Sequence, residues 1–304
     1  MAIVLALLAA AANALATILQ RLGVEEAGRA NRSRSLMASV LRRPIWFAGL
    51  ALAAVSFLLQ AVALALGDLS TVQPIMVTEL LFLVLILGFW FHHSLGAREW
   101  TTVVGTVFGL GVFLAVSSSR GGVQRPATED WLILLGAGGA AILVTSLLAR
   151  RGSRSWRAAC LGTAGGITFA LTAAFVKTTA DEWSRGPVGV LTHWQVYAVA
   201  VAGVLGLVIS QHALEAGPVA ASQSALLIVN PLASIVMGIF LFGDHMQRGT
   251  GRLLVEFLFL AVMFLSLFGL SHSPLIATNS EGPESLTERR EEPRPELRAG
   301  GFTG

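Results

Sequence analysis

The sequence predicts an all-α polytopic membrane protein with about nine transmembrane helices in an inverted repeat, and three observations predict it. Composition comes first. Of 304 residues, 54% are hydrophobic and only 13% are charged, with a mean hydropathy of +0.71, well outside the range of soluble domains. Second, apolar runs of about 20 residues recur, each long enough to cross a hydrocarbon core of roughly 30 Å at 1.5 Å per residue. The runs are continuous, whereas a transmembrane barrel shows alternating segments of about ten residues. Third, the chain repeats itself. "ALATILQRLGVEE" (14–26) lies over "ALTAAFVKTTADE" (170–182), which places Arg21 on Lys177 and Glu25-Glu26 on Asp181-Glu182. Further on, at a slightly different offset, Gly67, Gln73, Gly88 and Arg98 lie over Gly217, Gln223, Gly238 and Arg248.

The elements follow in order. Span 1 covers 2–20; it begins without a basic n-region and runs into a basic segment, the reverse of a cleavable signal peptide, so it is expected to be retained. Span 2 (45–66) and span 7 (194–213) open near Trp46 and Trp194, where interfacial anchors belong. Span 3 covers 72–91, with Pro74 in its first turn, where proline is tolerated. Span 4 (101–118) carries Gly105 and Gly109, span 5 covers 131–149, and span 6 (158–177) carries Gly162 and Gly166. These small-xxx-small pairs permit close helix approach, within the chain or across a homodimer. Span 8 (219–242) holds Asn230-Pro231 at its middle, and span 9 covers 252–270. The organisation expected is a first repeat at 1–149 (spans 1–5), a second at 150–270 (spans 6–9), and a disordered cytoplasmic tail at 271–304, rich in Pro, Glu and Arg.

Charge sets orientation. The loops on one side hold 15 Lys and Arg residues, against 6 on the other, so the positive-inside rule places the N-terminus outside and the C-terminus inside. Arg150, Arg151, Arg154 and Arg157 belong to this topogenic charge. The pI of 9.9 therefore argues for orientation in the lipid bilayer and against a nucleic-acid partner. Spans 1, 2, 3 and 4 pair with 6, 7, 8 and 9; paired spans are five apart, an odd number, so they cross in opposite directions. Many secondary transporters build alternating access on this architecture.

Polar residues inside the spans are the candidate functional groups. Glu79 lies about 13 Å into span 3, where an ionised carboxylate costs about 2.5–3.5 kcal/mol; uptake of a proton or binding of a cation relieves that cost. A neutral Glu hydrogen-bonded to a neighbouring helix is the structural alternative. Pro231 removes one helical hydrogen bond and is expected to break span 8, leaving the Leu227 carbonyl free beside Asn230, with an ordinary proline kink as the structural alternative. At an offset of 150, Glu79 falls on Val229, so Glu79 and Asn230 are expected to share a site. Gln73, Gln223, Gln60, Gln211 and Asn13 are candidates to line the same cavity, although interhelical hydrogen bonding is the ordinary use of amides in membranes. His212 is open to a relay or a packing role, and Glu256 to a pairing with Arg252.

The segment "LGAREWTTVVGTVFGLGVFLAV" (95–116) resembles the drug/metabolite transporter superfamily, in which a Leu-containing turn and a Trp precede a Gly-rich fourth span; Leu95, Trp100, Gly105, Gly109 and Gly111 carry the resemblance. "FLFGDHM" (240–246) is similar to the superfamily's Gly-acid-x-Leu turn, with Asp244 as the acid, whereas the first half has His92-His93 in that place. The resemblance covers about 1–270 and implies ten helices. Nine helices with an outside N-terminus and an inside C-terminus, and the "LSTVQPIMV" opening of span 3, resemble the NIPA magnesium-transporter branch and its bacterial relatives.

These readings imply a multi-pass protein of the cell (inner) membrane that moves a small solute, metabolite or drug-like compound, by alternating access, with Glu79 taking a proton or the substrate cation. The alternative in the same class is a divalent-cation carrier in which Glu79 contacts Mg²⁺ as substrate. A non-transporting scaffold or helper subunit is the alternative from another class. No cofactor is expected, and the single Cys160 cannot form a disulfide or thiolate cluster within one chain. The chain has no His-Glu-x-x-His pair, Gly-x-Ser-x-Gly elbow or Walker loop, so it is not expected to be an enzyme.

Overall fold

Apolar runs of this length satisfy their backbone groups in lipid only as helices or closed barrels, and helices are what the chain forms. The computed structural model describes residues 1–30, 43–90, 96–116, 126–183, 191–244 and 250–271. Among them are ten helices and no strand: α1 (Ala2–Ala30), α2 (Pro44–Leu66), α3 (Leu69–Met76), α4 (Glu79–Trp90), α5 (Ala97–Val116), α6 (Thr128–Leu148), α7 (Arg154–Trp183), α8 (Trp194–Ala216), α9 (Val219–Phe242) and α10 (Thr250–Ser271).

Among the described residues seven stretches are long and apolar enough to cross a membrane: Ala2–Gln20, Pro44–Leu66, Leu69–Ile86, Thr128–Leu148, Arg154–Ala180, Trp194–Ala216 and Ala221–Phe242. The chain is thus an all-helical membrane protein. The expected spans 4 and 9 coincide with α5 and α10, which are helical but outside that set of seven.

Three details differ from the expectation. Span 3 is two helices, interrupted at Val77-Thr78. The break expected at Pro231 is absent, because α9 runs through that residue without interruption; one missing hydrogen bond is a small loss for a 24-residue helix packed along its length. Finally, α1 continues past the membrane span to Ala30, and α7 to Trp183, so Glu26 and Glu182 lie on helices rather than in loops. His92-His93, the basic residues at 120–125, Arg185, Arg248 and the tail from 272 lie outside the described residues, as do the side chains of Arg21, Glu25, Arg98, Asp181, Arg252 and Glu256.

Packing follows the glycines. A Cβ at Gly162 would strike the Ser222 carbonyl, and one at Gly166 would lie 3.0 Å from Val229 Cβ and 3.1 Å from Asn230 N, so α7 and α9 meet backbone to backbone. Likewise a Cβ at Gly109 would lie 2.8 Å from Met263 N and 2.9 Å from the Phe259 carbonyl oxygen, and one at Gly105 would strike Ser266, so α5 lies close on α10. Both small-xxx-small pairs therefore serve contacts within the chain. Elsewhere α1 packs on α2 and α7 on α8. Trp131 of α6 stacks on Phe175 of α7 at 5.0 Å, and both meet the edge of Trp194. One buried core runs through the bundle, drawing on Ala6, Leu64, Ile75, Phe113, Phe242 and Met263. Arg150, Arg151, Arg154 and Arg157 are all exposed at the α6–α7 turn.

Candidate functional site

The interruption of span 3 has a local cause. Proline at position 74 has no N–H to donate to Ser70. One turn on, the Ile75 carbonyl accepts both the Thr78 N–H (3.0 Å) and the Thr78 hydroxyl (2.7 Å). That carbonyl is thereby diverted to a tighter three-residue turn, and the chain restarts as a helix at Glu79. Glu79 thus sits in the first turn of α4, where a carboxylate complements the unpaired N–H groups and the helix dipole. Its carboxyl is hydrogen-bonded to the Asn13 side chain of α1.

Two of the candidate residues are therefore brought together, Glu79 and Asn13. Gln73 and Asn230 lie on α3 and α9, which pack on each other. Ser70 N lies 3.1 Å from where a Gly238 Cβ would be, which fixes the register of the two helices. Eight residues back along α9 from Gly238, about 12 Å at 1.5 Å per residue, is Asn230. Gln73 and Ser234 are 2% and 0% exposed. Gln73 Nε2, Ser234 Oγ and Asn230 Oδ1 are buried without a protein hydrogen-bond partner, an uncommon state for polar atoms. Gln60 and Gln223 are half-buried on α2 and α9. Gln211 and His212 of α8 are exposed, and His212 Nδ1 lies 2.7 Å from the Val208 carbonyl one turn before it; both sit away from the Glu79 site because α8 turns that face outward.

A second polar cluster escaped the sequence reading, which took Lys177 as a topogenic charge and Asp244 as part of a turn. Helix α2 ends and α3 begins at Gly67-Asp68, leaving unpaired carbonyls on one and unpaired N–H groups on the other. Lys177 of α7, 7% exposed, donates to the Leu64 carbonyl at 3.1 Å and the Gly67 carbonyl at 2.7 Å, and its ammonium lies 5.4 Å from the centroid of the Phe242 ring. Asp244 does the reverse for α3: its Oδ2 accepts the Ser70 N–H at 3.1 Å and the Ser70 hydroxyl at 2.8 Å. Asp68, the residue preceding α3, makes no side-chain cap of its own. Each charge is opposite in sign to the helix end it meets.

The Asp244 position depends on two glycines. Gly243, at φ 63°, turns the chain so that the Asp244 N–H returns to the Gly238 carbonyl at 3.0 Å. A side chain at position 238 would place Cβ 2.5 Å from Asp244 Oδ2. Burial pushes the Asp244 carboxyl above the ordinary carboxylate range; the Ser70 hydrogen bonds and Lys177 oppose the rise, and Asp68 adds to it. The signal available in the sequence was a lone Lys inside an otherwise apolar run and an acid directly after Gly243.

The groove of about 520 Å³ between α9 and α10 is lined by apolar side chains, among them Ile228, Leu232, Phe264 and Phe268; neither Glu79 nor Asn230 lines it. Among the described residues no group of three His, Cys, Asp or Glu side chains is placed to hold a metal ion. What the Glu79 site offers is one carboxyl with an amide partner at mid-span, chemistry suited to exchanging a proton or a single cationic group.

No family model matches the chain, and no solved structure matches it. An uncharacterized protein of Corynebacterium glutamicum is similar to it, 26% identical over 250 residues that cover 81% of this chain and 86% of that protein.

Proposed function

We propose that the chain is a secondary-active transporter of the cell (inner) membrane that moves a small solute by alternating access, with Glu79 as the group that exchanges a proton for substrate. The observation that carries the reading is the interruption of span 3, with a carboxyl at the restart bonded to Asn13 of another helix. Irregular backbone at membrane depth is tolerated where it borders a cavity, and intramembrane carboxyls mark ion and substrate paths.

The same reading includes nine crossings, an inverted repeat of spans 1–4 and 6–9, an outside N-terminus and an inside C-terminus. Packing supports the repeat. Gly67 lies against Ala2 and Gly217 against Ala158, two contacts related by the 150- and 156-residue offsets of the sequence alignment. Helices α5 and α10, repeat mates, pack on each other, as elements beside a two-fold axis must. The bonds of Lys177 and Asp244 to Leu64, Gly67 and Ser70 gather three segments that the nine-crossing topology assigns to one face. Under the repeat, Asn13 and Glu79 correspond to Phe169 and Val229, so the polar pair exists in one half only and the two bundles share a single exchanging group.

Uptake into reconstituted proteoliposomes under an imposed proton gradient tests the function, with amino acids, organic amines and Mg²⁺ as probes. Glu79→Gln is expected to lower gradient-driven uptake by about 10- to 100-fold, the equivalent of losing a charged hydrogen bond of about 1.5–3 kcal/mol. Uptake by the variant at the wild-type rate would remove Glu79 from the mechanism. Flux of Mg²⁺ alone would move the substrate class to divalent cations.

A further inference from the structure

The transport reading leaves the Lys177–Asp244 cluster without a role. Building on that reading, we propose that Lys177 and Asp244 are the gate of their face of the membrane, closing it in this conformation and admitting solute toward Glu79 when released.

All four bonds of the cluster join the first half of the chain to the second. Lys177 of α7 holds the carbonyls of Leu64 and Gly67 at the end of α2, and Asp244 after α9 holds the N–H and hydroxyl of Ser70 at the start of α3. The cluster therefore clamps the α2–α3 turn between α7 and α9. It is a polar closure: ammonium, carboxylate, hydroxyl and backbone groups can each exchange their partner for water. An apolar seam of the same area has no such alternative.

What lies behind the closure gives it something to guard. One turn inward from Ser70 and Gly238 are Gln73 and Ser234, and one further turn along α9 is Asn230, each with a buried polar atom that lacks a protein partner. Such atoms weaken the closed state and gain partners when water reaches them, so opening at this seam relieves a polar cost. In the proposed orientation the gate faces outside. Gly238 is part of the device, since only a residue without Cβ lets Asp244 reach Ser70.

Cysteine accessibility tests the gate without a known solute. Ser234→Cys in a Cys160→Ala background places one thiol behind the closure, at a position now 0% exposed. The native Cys160, also buried, lies about 25 Å from Lys177 along α7 and serves as the control thiol in the otherwise native chain. With a membrane-impermeant cationic methanethiosulfonate on the reconstituted protein, Lys177→Met and Asp244→Asn are each expected to speed labelling at position 234 by about tenfold or more, the response to about 1.4 kcal/mol of lost closing free energy, with Cys160 labelling unchanged. Unchanged labelling at 234 overturns the gate, and so does equal acceleration at both thiols, which reports loosening of the whole bundle. Faster labelling at 234 alone, in a protein that carries no probe across the membrane, upholds the opening and removes the transport reading instead.

Discussion

Spans 3 and 8 both carry a buried proline, and they differ in the one respect that matters for the site. Span 3 is cut at Val77-Thr78, three residues past Pro74, while α9 runs unbroken through Pro231. Proline removes the same hydrogen bond in both, so the proline does not decide the outcome. In span 3 a following hydroxyl captures the Ile75 carbonyl and ends the helix. In α9 the backbone lies close against α7 over Gly162 and Gly166, and the helix is continuous there. The difference teaches that a helix interruption is made by what claims the carbonyls, and prevented by what packs along the backbone.

Three variants and one titration can break or sharpen this comparison. The largest effect is expected from Gly162→Leu, which drives a side chain into the Ser222 carbonyl. Overpacking of this kind costs about 1–3 kcal/mol or more, and here it lifts α9 off α7. Loss of a monodisperse peak in size-exclusion chromatography is the expected result; a well-behaved, wild-type-like protein would mean that the contact does not hold α9 straight. Next, Pro74→Ala combined with Thr78→Val returns a donor to span 3 and removes the competing hydroxyl. The protein should stay folded, with uptake of the solute found for the wild type reduced by about tenfold. Wild-type uptake in the double variant would show that the interruption is dispensable.

Pro231→Ala restores one backbone bond to a helix that is already continuous. It is expected to raise stability by about 1 kcal/mol, read as a higher midpoint in thermal unfolding, with uptake retained. A fall in uptake would reinstate a role for this proline. The smallest effect is a pH dependence at Asp244, whose carboxyl burial raises above its ordinary range. A raised value means that the folded state binds the proton more tightly than the unfolded chain. The stability it contributes is full below about pH 3.9, the ordinary Asp value, and is lost as pH rises through the raised one. The difference in unfolding midpoint between wild type and Asp244→Asn should thus move in favour of wild type on acidification from neutral pH. A shift in favour of wild type on alkalinisation would contradict the assigned direction.

Much of the fold was legible because it rests on local periods. Apolar run length located the helices, including α5 and α10, and the depth of Glu79 followed from counting residues from the start of its span. The partner of Glu79 was not legible. The offset of 150 put Asn230 opposite it, whereas the hydrogen bond goes to Asn13. The rotation of one helix against another is set by side-chain packing around the whole bundle, and repeat arithmetic carries no information about it. Pro74 and Pro231 were weighed by position alone, which gave each the other's outcome.

By itself the sequence determined a helical membrane protein, because no soluble core needs continuous apolar runs of that length and number, and it determined that a carboxyl sits at mid-span. Tertiary structure decided which groups meet. Lys177 reaches carbonyls more than a hundred positions away in the chain, and Asp244 reaches Ser70 across 174 residues. The reason is physical: helix ends leave unpaired backbone groups wherever they fall, and which buried charge arrives to pair with them depends on how distant helices pack.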